Sequence, residues 1–250
     1  MRYPEHSSPS SRLVAAGYVL LGAAFVVEGA RLFYDIYSNG TGGKRTLLTD
    51  TGMGESVGEA GARTRGAITS SKIINVRNID ERLGIITRLI RKGSLDPKVR
   101  EATLGILTRK CGVDGNRRWC VPEKDWEAEV RAIFNATRDP NSPTAIRYVR
   151  DHPDVDVFTA AGKTLFRLHG EDCDGQAIAV GARLRSVGYP VRCRIIQAKN
   201  ANTWSHIYLA VGLPPMGPTT WMPLDTTVPG AAPGWEAPNA YVIAKRDYEV

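Results

Sequence analysis

Cysteine is scarce, with four in 250 residues, namely Cys111, Cys120, Cys173 and Cys193. So low a density excludes a small disulfide scaffold. Cys111 and Cys120 have no second close Cys or His pair that would complete the four ligands of a structural zinc site. They read as two unrelated thiols, with a local disulfide open to them in an oxidising compartment. Long apolar runs are missing as well. The longest, Leu13 to Val27 between Arg12 and Glu28, is shorter than the roughly 20 apolar residues that a membrane helix requires. Runs of like charge are also absent. The chain holds 33 Lys plus Arg against 26 Asp plus Glu, a net charge of +7. Yet Arg63, Arg65, Arg88, Arg91, Lys92, Arg117 and Arg118 are scattered, without the interleaved aromatics of a single-strand binder. A solvated basic face is the expectation, and nucleic acid is not an expected partner.

What is present is an ordinary globular composition, 42% hydrophobic and 24% charged, on a chain long enough to bury a substantial core. Residues 1–37 carry the apolar segment, and 38–71 are rich in Gly, Ser and Thr, which reads as a flexible linker. The stretch 13–34 keeps several readings open. Gly22-Ala23-Ala24 offers small residues for signal cleavage, but Glu5 and a nearly uncharged lead-in make a poor signal n-region. A membrane anchor and a buried or partner-binding helix are the alternatives. The protein is exported or membrane-anchored on the first two readings and cytoplasmic or particle-associated on the third.

From residue 72 to 250 the pattern is that of one domain. Ile79, Leu83, Ile86, Leu89 and Ile90 recur at helical spacing and Gly93 stops them. A second helix is expected from Pro97 to Lys110. A third opens near Pro122 and Glu123 and lays Trp126, Val130, Ile133 and Phe134 along one face. A short strand over Ile146 to Val149 and a loop from Asp151 to Asp156 come next. Ala177, Val180 and Leu184 mark a helix that Gly188 and Pro190 end. Val191, Cys193 and Ile195 alternate with Arg192 and Arg194 as a half-buried strand does, so Cys193 is a buried small apolar residue. Trp204 to Val211 and Trp221 to Asp225 are two further strands, separated by the proline-rich Leu213 to Pro218 turn. Helices first and antiparallel strands after them make an α+β architecture.

The residues that suggest chemistry lie in the last third. Cys173 stands in Gly170-Glu171-Asp172-Cys173-Asp174-Gly175-Gln176, where helical periodicity begins. A helix N-terminus favours a thiolate and presents unpaired N–H groups to a developing oxyanion. Such a nucleophile needs a base and a third group that orients it. His206 lies on the strand face opposite Ser205, Ile207, Leu209 and Val211, which suits a histidine facing a cleft. Asp225 closes the next strand, where an antiparallel neighbour would carry its carboxylate to the imidazole. The separations leave room for one helix plus one strand, then one hairpin. His152 and His169 have no such setting and read as surface or packing residues. Trp204, Trp221 and Trp235 are candidates for an acyl-acceptor groove, against the core packing that is the usual use of aromatics. Tyr148 and Gln176 are candidates for the oxyanion hole.

The block around Cys173, then Leu184-Arg185-Ser186-Val187-Gly188-Tyr189-Pro190-Val191-Arg192, Trp204-Ser205-His206-Ile207-Tyr208 and Trp221-Met222-Pro223-Leu224-Asp225, resemble in order the successive blocks of the transglutaminase-like superfamily. The resemblance covers about residues 120 to 236. Upstream, Arg147 to Asp151, Asp156 and Thr164-Leu165 resemble segments that precede the family's cysteine. The resemblance implies a papain-like core with a Cys173-His206-Asp225 triad, cysteine-dependent acyl transfer from a peptide or protein amide to water or an amine, and no cofactor or metal. Two positions depart from the family pattern. Glu171 stands where a glycine is common, and Gly175 where a second acidic residue is common. The alternative is a weakly active or non-catalytic assembly component of the kind found in bacteria and bacteriophage, with the N-terminal segment as a tether to a protein partner, a larger particle or a membrane.

Overall fold

The computed structural model describes residues 45–52, 68–74, 78–111, 118–120, 125–151 and 155–250. The apolar segment 13–34, His152, Pro122, Glu123 and residues 53–67 of the expected linker lie outside them. Among the described residues, no helix is long and apolar enough to cross a membrane.

Four helices come from the expected periodicities. α1 spans Ile79–Ser94, α2 Pro97–Leu107, α3 Trp126–Arg138 and α4 Cys173–Ser186. Each begins at a side-chain cap, as a helix whose first N–H groups lack backbone acceptors requires. Asn78 accepts from Glu81 N, Asp96 from Lys98 N, Asp125 from Ala128 N, and Asp172 from both Asp174 N and Gly175 N. α2 ends at Leu107 rather than Lys110. Its cap residue Thr108 is extended, and Arg109–Cys111 (β3) pairs with Arg118–Cys120 (β4).

The strands assemble into an antiparallel four-stranded sheet of order β10-β9-β8-β11, with β8 Val191–Ala198, β9 His206–Leu213, β10 Thr220–Leu224 and β11 Val242–Glu249. The fold is therefore α+β. The sequence reading omitted β11, whose residues alternate between partly buried and exposed. It covers β8, with Tyr248 opposite Cys193 and Asp247 opposite Arg194.

Part of the expected linker is sheet. β1 (Arg45–Gly52) pairs antiparallel with β2 (Ile68–Ile74) and parallel with β6 (Val155–Thr159). The division drawn at residue 71 thus cuts through β2. Within the glycine-rich window lie a Thr-rich run, β1, and the start of an Ile-rich run, β2, and β-branched residues favour strands. The loop expected up to Asp156 gives way to β6 for the same reason. The strand expected over 146–149 is Arg147–Tyr148 (β5), which pairs in parallel with Gly170–Glu171 (β7).

α4 is the axis of the core. It is not one-faced, as Ala177, Val180 and Leu184 alone suggested. Ile178, Ala179, Ala182 and Arg183 are buried too, which marks a helix surrounded on all sides. Close approach to α1 depends on glycine. A Cβ on Gly93 would lie 2.9 Å from that of Ala182, and one on Gly181 would lie 3.0 Å from Ile90 Cδ1. Arg183 is 0% exposed. It donates to Thr137 Oγ1 at 2.9 Å and to the Thr144 carbonyl at 3.4 Å, and burial pulls its guanidinium down to about 10. Those bonds tie α4 to α3 and to the loop after it.

Candidate active site

Cys173 is the first residue of α4, placed there by the Asp172 cap. It is half-buried, whereas Cys193 is fully buried, as its alternation in β8 predicts. The Cys173 Sγ donates to Asp174 Oδ1 at 3.3 Å. Burial pushes the thiol well above its usual range, Asp174 and Asp172 add to this by like-charge repulsion, and the Ile207 main-chain N–H opposes them. That N–H places the sulfur beside β9, one residue along the chain from His206. Nearby carboxyls share the strain. Burial, followed by repulsion from Asp174, raises Asp172 well above the ordinary aspartate range. Burial lifts Glu171 to about 7 against the Thr159 and Thr164 hydroxyls that bond its carboxylate.

His206 opens β9, and Asp225 follows the last residue of β10. The antiparallel register of these strands, with Leu224 opposite Leu209, brings the two together. His206 Nε2 lies 2.7 Å from Asp225 Oδ2. The other carboxylate oxygen accepts from Thr227 N at 3.0 Å and Thr227 Oγ1 at 2.7 Å. Burial by itself would raise Asp225, but His206 and the two Thr227 donors hold it below the ordinary carboxylate range. Nothing local in the Trp221 to Asp225 pattern suggested Thr227. The signal that could have found it is Asp-x-Thr after a strand, in which a side-chain oxygen bonds the backbone two residues on.

One expectation is corrected. His206 does not face an open cleft, since it is 4% exposed and Asp225 is 1% exposed. A second apolar layer of Tyr208, Val228, Ala231 and Ala237, with Trp235 against it, covers that side of the sheet. β9 is buried on both faces, so alternation alone could not separate a cleft from a second core.

The three tryptophans are not brought into one groove. Trp221 stands opposite Gly212 near the far end of β9, whereas Trp204 precedes its start. Those positions are eight residues apart along an extended chain, about 26 Å at roughly 3.3 Å per residue. Trp221 lies under the Arg192 guanidinium at 3.6 Å and Trp204 under Arg246 at 5.6 Å. Gln176 Nε2 donates to the Glu171 carbonyl at 3.2 Å, so that donor is committed inside the fold. Tyr148 is opposite Glu171 in the β5–β7 pair, and burial together with Cys173 and Asp172 raises its phenol. His169 has a left-handed backbone, φ 53. It ends the π-helical turn Thr164–Leu168 and directly precedes β7, which is a structural role.

Glu171 and Gly175 belong to one arrangement. A Cβ on Gly175 would lie 2.5 Å from Glu171 Oε2 and 2.7 Å from Glu171 Cβ. The carboxylate of residue 171 fills the space that a side chain at 175 would use.

Asp172, Cys173 and Asp174 hold their ligand atoms within 4.8 Å of one another, a spacing compatible with a metal ion. The carboxyls already serve other partners there: Asp172 caps α4 and Asp174 accepts from the thiol. No protein-family model matches this chain, and no curated protein matches it either.

Proposed function

We propose that the protein is a cysteine-nucleophile acyl-transfer enzyme with a transglutaminase-like, papain-type core, acting on an amide of a peptide or protein. The observation that carries this reading is the buried His206–Asp225 pair at 2.7 Å, with His206 adjacent in the chain to Ile207, whose N–H reaches the Cys173 sulfur. Nε2 is held by Asp225, so Nδ1 is the nitrogen that takes the thiol proton as Sγ attacks the carbonyl carbon. The imidazolium then protonates the departing amine, and the C–N bond breaks to leave a thioester on Cys173. Water or a second amine attacks the thioester, His206 accepts the incoming proton, and Sγ leaves with it. The Cys173 N–H at the start of α4 is the donor aimed at the oxyanion.

The test is direct. Purified protein is incubated with casein and a fluorescent primary amine while free ammonia and new amino termini are followed. Amine incorporation indicates transamidation, and new termini without incorporation indicate hydrolysis. Cys173→Ala should abolish either signal. Turnover that survives Cys173→Ala would overturn the reading.

A second reading, a weakly active assembly component, draws support from one observation. Burial and the neighbouring carboxylates hold the Cys173 thiol protonated, and a thiol is a poor nucleophile. On that reading the wild-type protein and Cys173→Ala give equal, background signals.

A further inference from the structure

We infer that Arg82, from α1, is a positioning residue that sets the reactivity of Cys173 through Asp174. The inference rests on Cys173 being the nucleophile proposed above. Arg82 forms an ion pair with Asp156 of β6 and lies 3.6 Å from Asp174 Oδ2. The other oxygen of Asp174 accepts the Cys173 thiol at 3.3 Å. A continuous chain of contacts thus runs from Asp156 through Arg82 and Asp174 to the sulfur. The Arg82 guanidinium also lies 5.8 Å from the centre of the Phe158 ring, which restricts where its charge can sit.

Arg82 is poorly placed for its own helix. Asn78 is the cap, so Arg82 lies in the first turn, where the helix dipole disfavours a cation. Its partners lie elsewhere in the fold. Burial works against its charge, but Asp174 and Asp156 outweigh that and raise it, and Cys173 contributes in the same direction. Among the described residues, the other groups that act on the sulfur include Tyr148 from β5, Asp172 and Asp174 from α4, and the Ile207 N–H from β9, beside His206. Arg82 offsets Asp174 and Asp156, which would otherwise act at full strength on the developing thiolate.

The experiment is iodoacetamide alkylation of the full chain from pH 6 to 10, with peptide mapping that separates Cys173 from the other three thiols. Arg82→Gln should slow Cys173 labelling at pH 8 by roughly 10-fold and move its profile to higher pH. Arg82→Lys should recover part of the rate. Asp174→Asn should do the opposite and speed labelling, because it removes the negative charge nearest the sulfur. The differences should shrink in high salt, since Arg82 is one-third exposed and its field is screened. Thermal melts establish that each variant is folded. Coincident profiles for folded Arg82→Gln and wild type, or slower labelling of folded Asp174→Asn, would overturn the inference. The readout is thiol chemistry, so it stands even if no amide is turned over, and the loss of the acyl-transfer reading is seen separately in the casein assay.

Discussion

The two ends of the candidate site are built on opposite electrostatic terms. At the β9–β10 end, a buried histidine meets a buried carboxylate whose second oxygen is held by two Thr227 donors, and the aspartate is lowered as a result. At the α4 end, Glu171, Asp172, Asp174 and Cys173 crowd together, and burial raises three of them. One end is a hydrogen-bonded His206–Asp225 pair, and at the other Glu171, Asp172 and Cys173 favour their neutral forms. On the proposed reading, His206 is held by Asp225 while burial and the neighbouring carboxylates favour the neutral Cys173 thiol, so its ionisation draws on substrate binding, on His206 or on Arg82.

The largest expected effect breaks the organised end. Asp225→Asn keeps the shape but replaces an acceptor with an amide that cannot hold the same His206 tautomer, so acylation of Cys173 should fall by roughly 10²- to 10⁴-fold. The assay is single-turnover acylation at neutral pH. The lowered Asp225 carboxyl also has a sign. Its contribution to stability is present above the ordinary aspartate value of 3.8 and is lost as pH falls through the lower folded value. Asp225→Asn should therefore flatten the acid limb of a stability profile, and unchanged acid unfolding would show that the pair contributes nothing there.

At the crowded end the sign reverses. Burial raises Glu171 from 4.5 to about 7, so the fold prefers its protonated form. The associated stability is full below the unfolded value and is lost as pH rises to about 7, with no further change above. Glu171→Gln should remove that loss, on the order of 3 kcal/mol at most. Urea melts of both proteins at pH 5 and pH 8 measure it. A difference no larger at pH 8 than at pH 5 would mean that the carboxyl is not destabilised by its surroundings.

The smallest effect sharpens the steric half of the comparison. Gly175→Ala places a Cβ against the Glu171 side chain and should cost about 1–3 kcal/mol, as overpacking does. In a Glu171→Gly background the same change should cost little or nothing. A double-mutant cycle on urea midpoints reads the coupling, and additive costs would show that the two positions do not share one space.

Much of the helical and central-sheet layout was legible because its causes are local. α1 through α4 follow from apolar spacing and from caps at Asn78, Asp96, Asp125 and Asp172, each within three residues of the N–H it accepts. Cys173 at a helix start, His206 on one strand and Asp225 at the end of its neighbour were legible too, since strand order and hairpin length set that adjacency. β1, β2 and β11 were not, because a strand's stability resides in the partner it pairs with and their partners lie far off or out of pattern. The burial of His206 was hidden because period-2 alternation reports only that two faces differ, and both faces of β9 are covered.

The sequence by itself determined the candidate chemistry, in that the residue types and their local element positions are set by nearest neighbours along the chain. Only the tertiary structure decided its energetics. Arg82 reaches Asp174 and Asp156 from another helix, His206 meets Asp225 across two strands, and Glu171 takes the space beside Gly175. Charge, dielectric and steric contact act through space over a few ångströms, and sequence separation does not measure that distance.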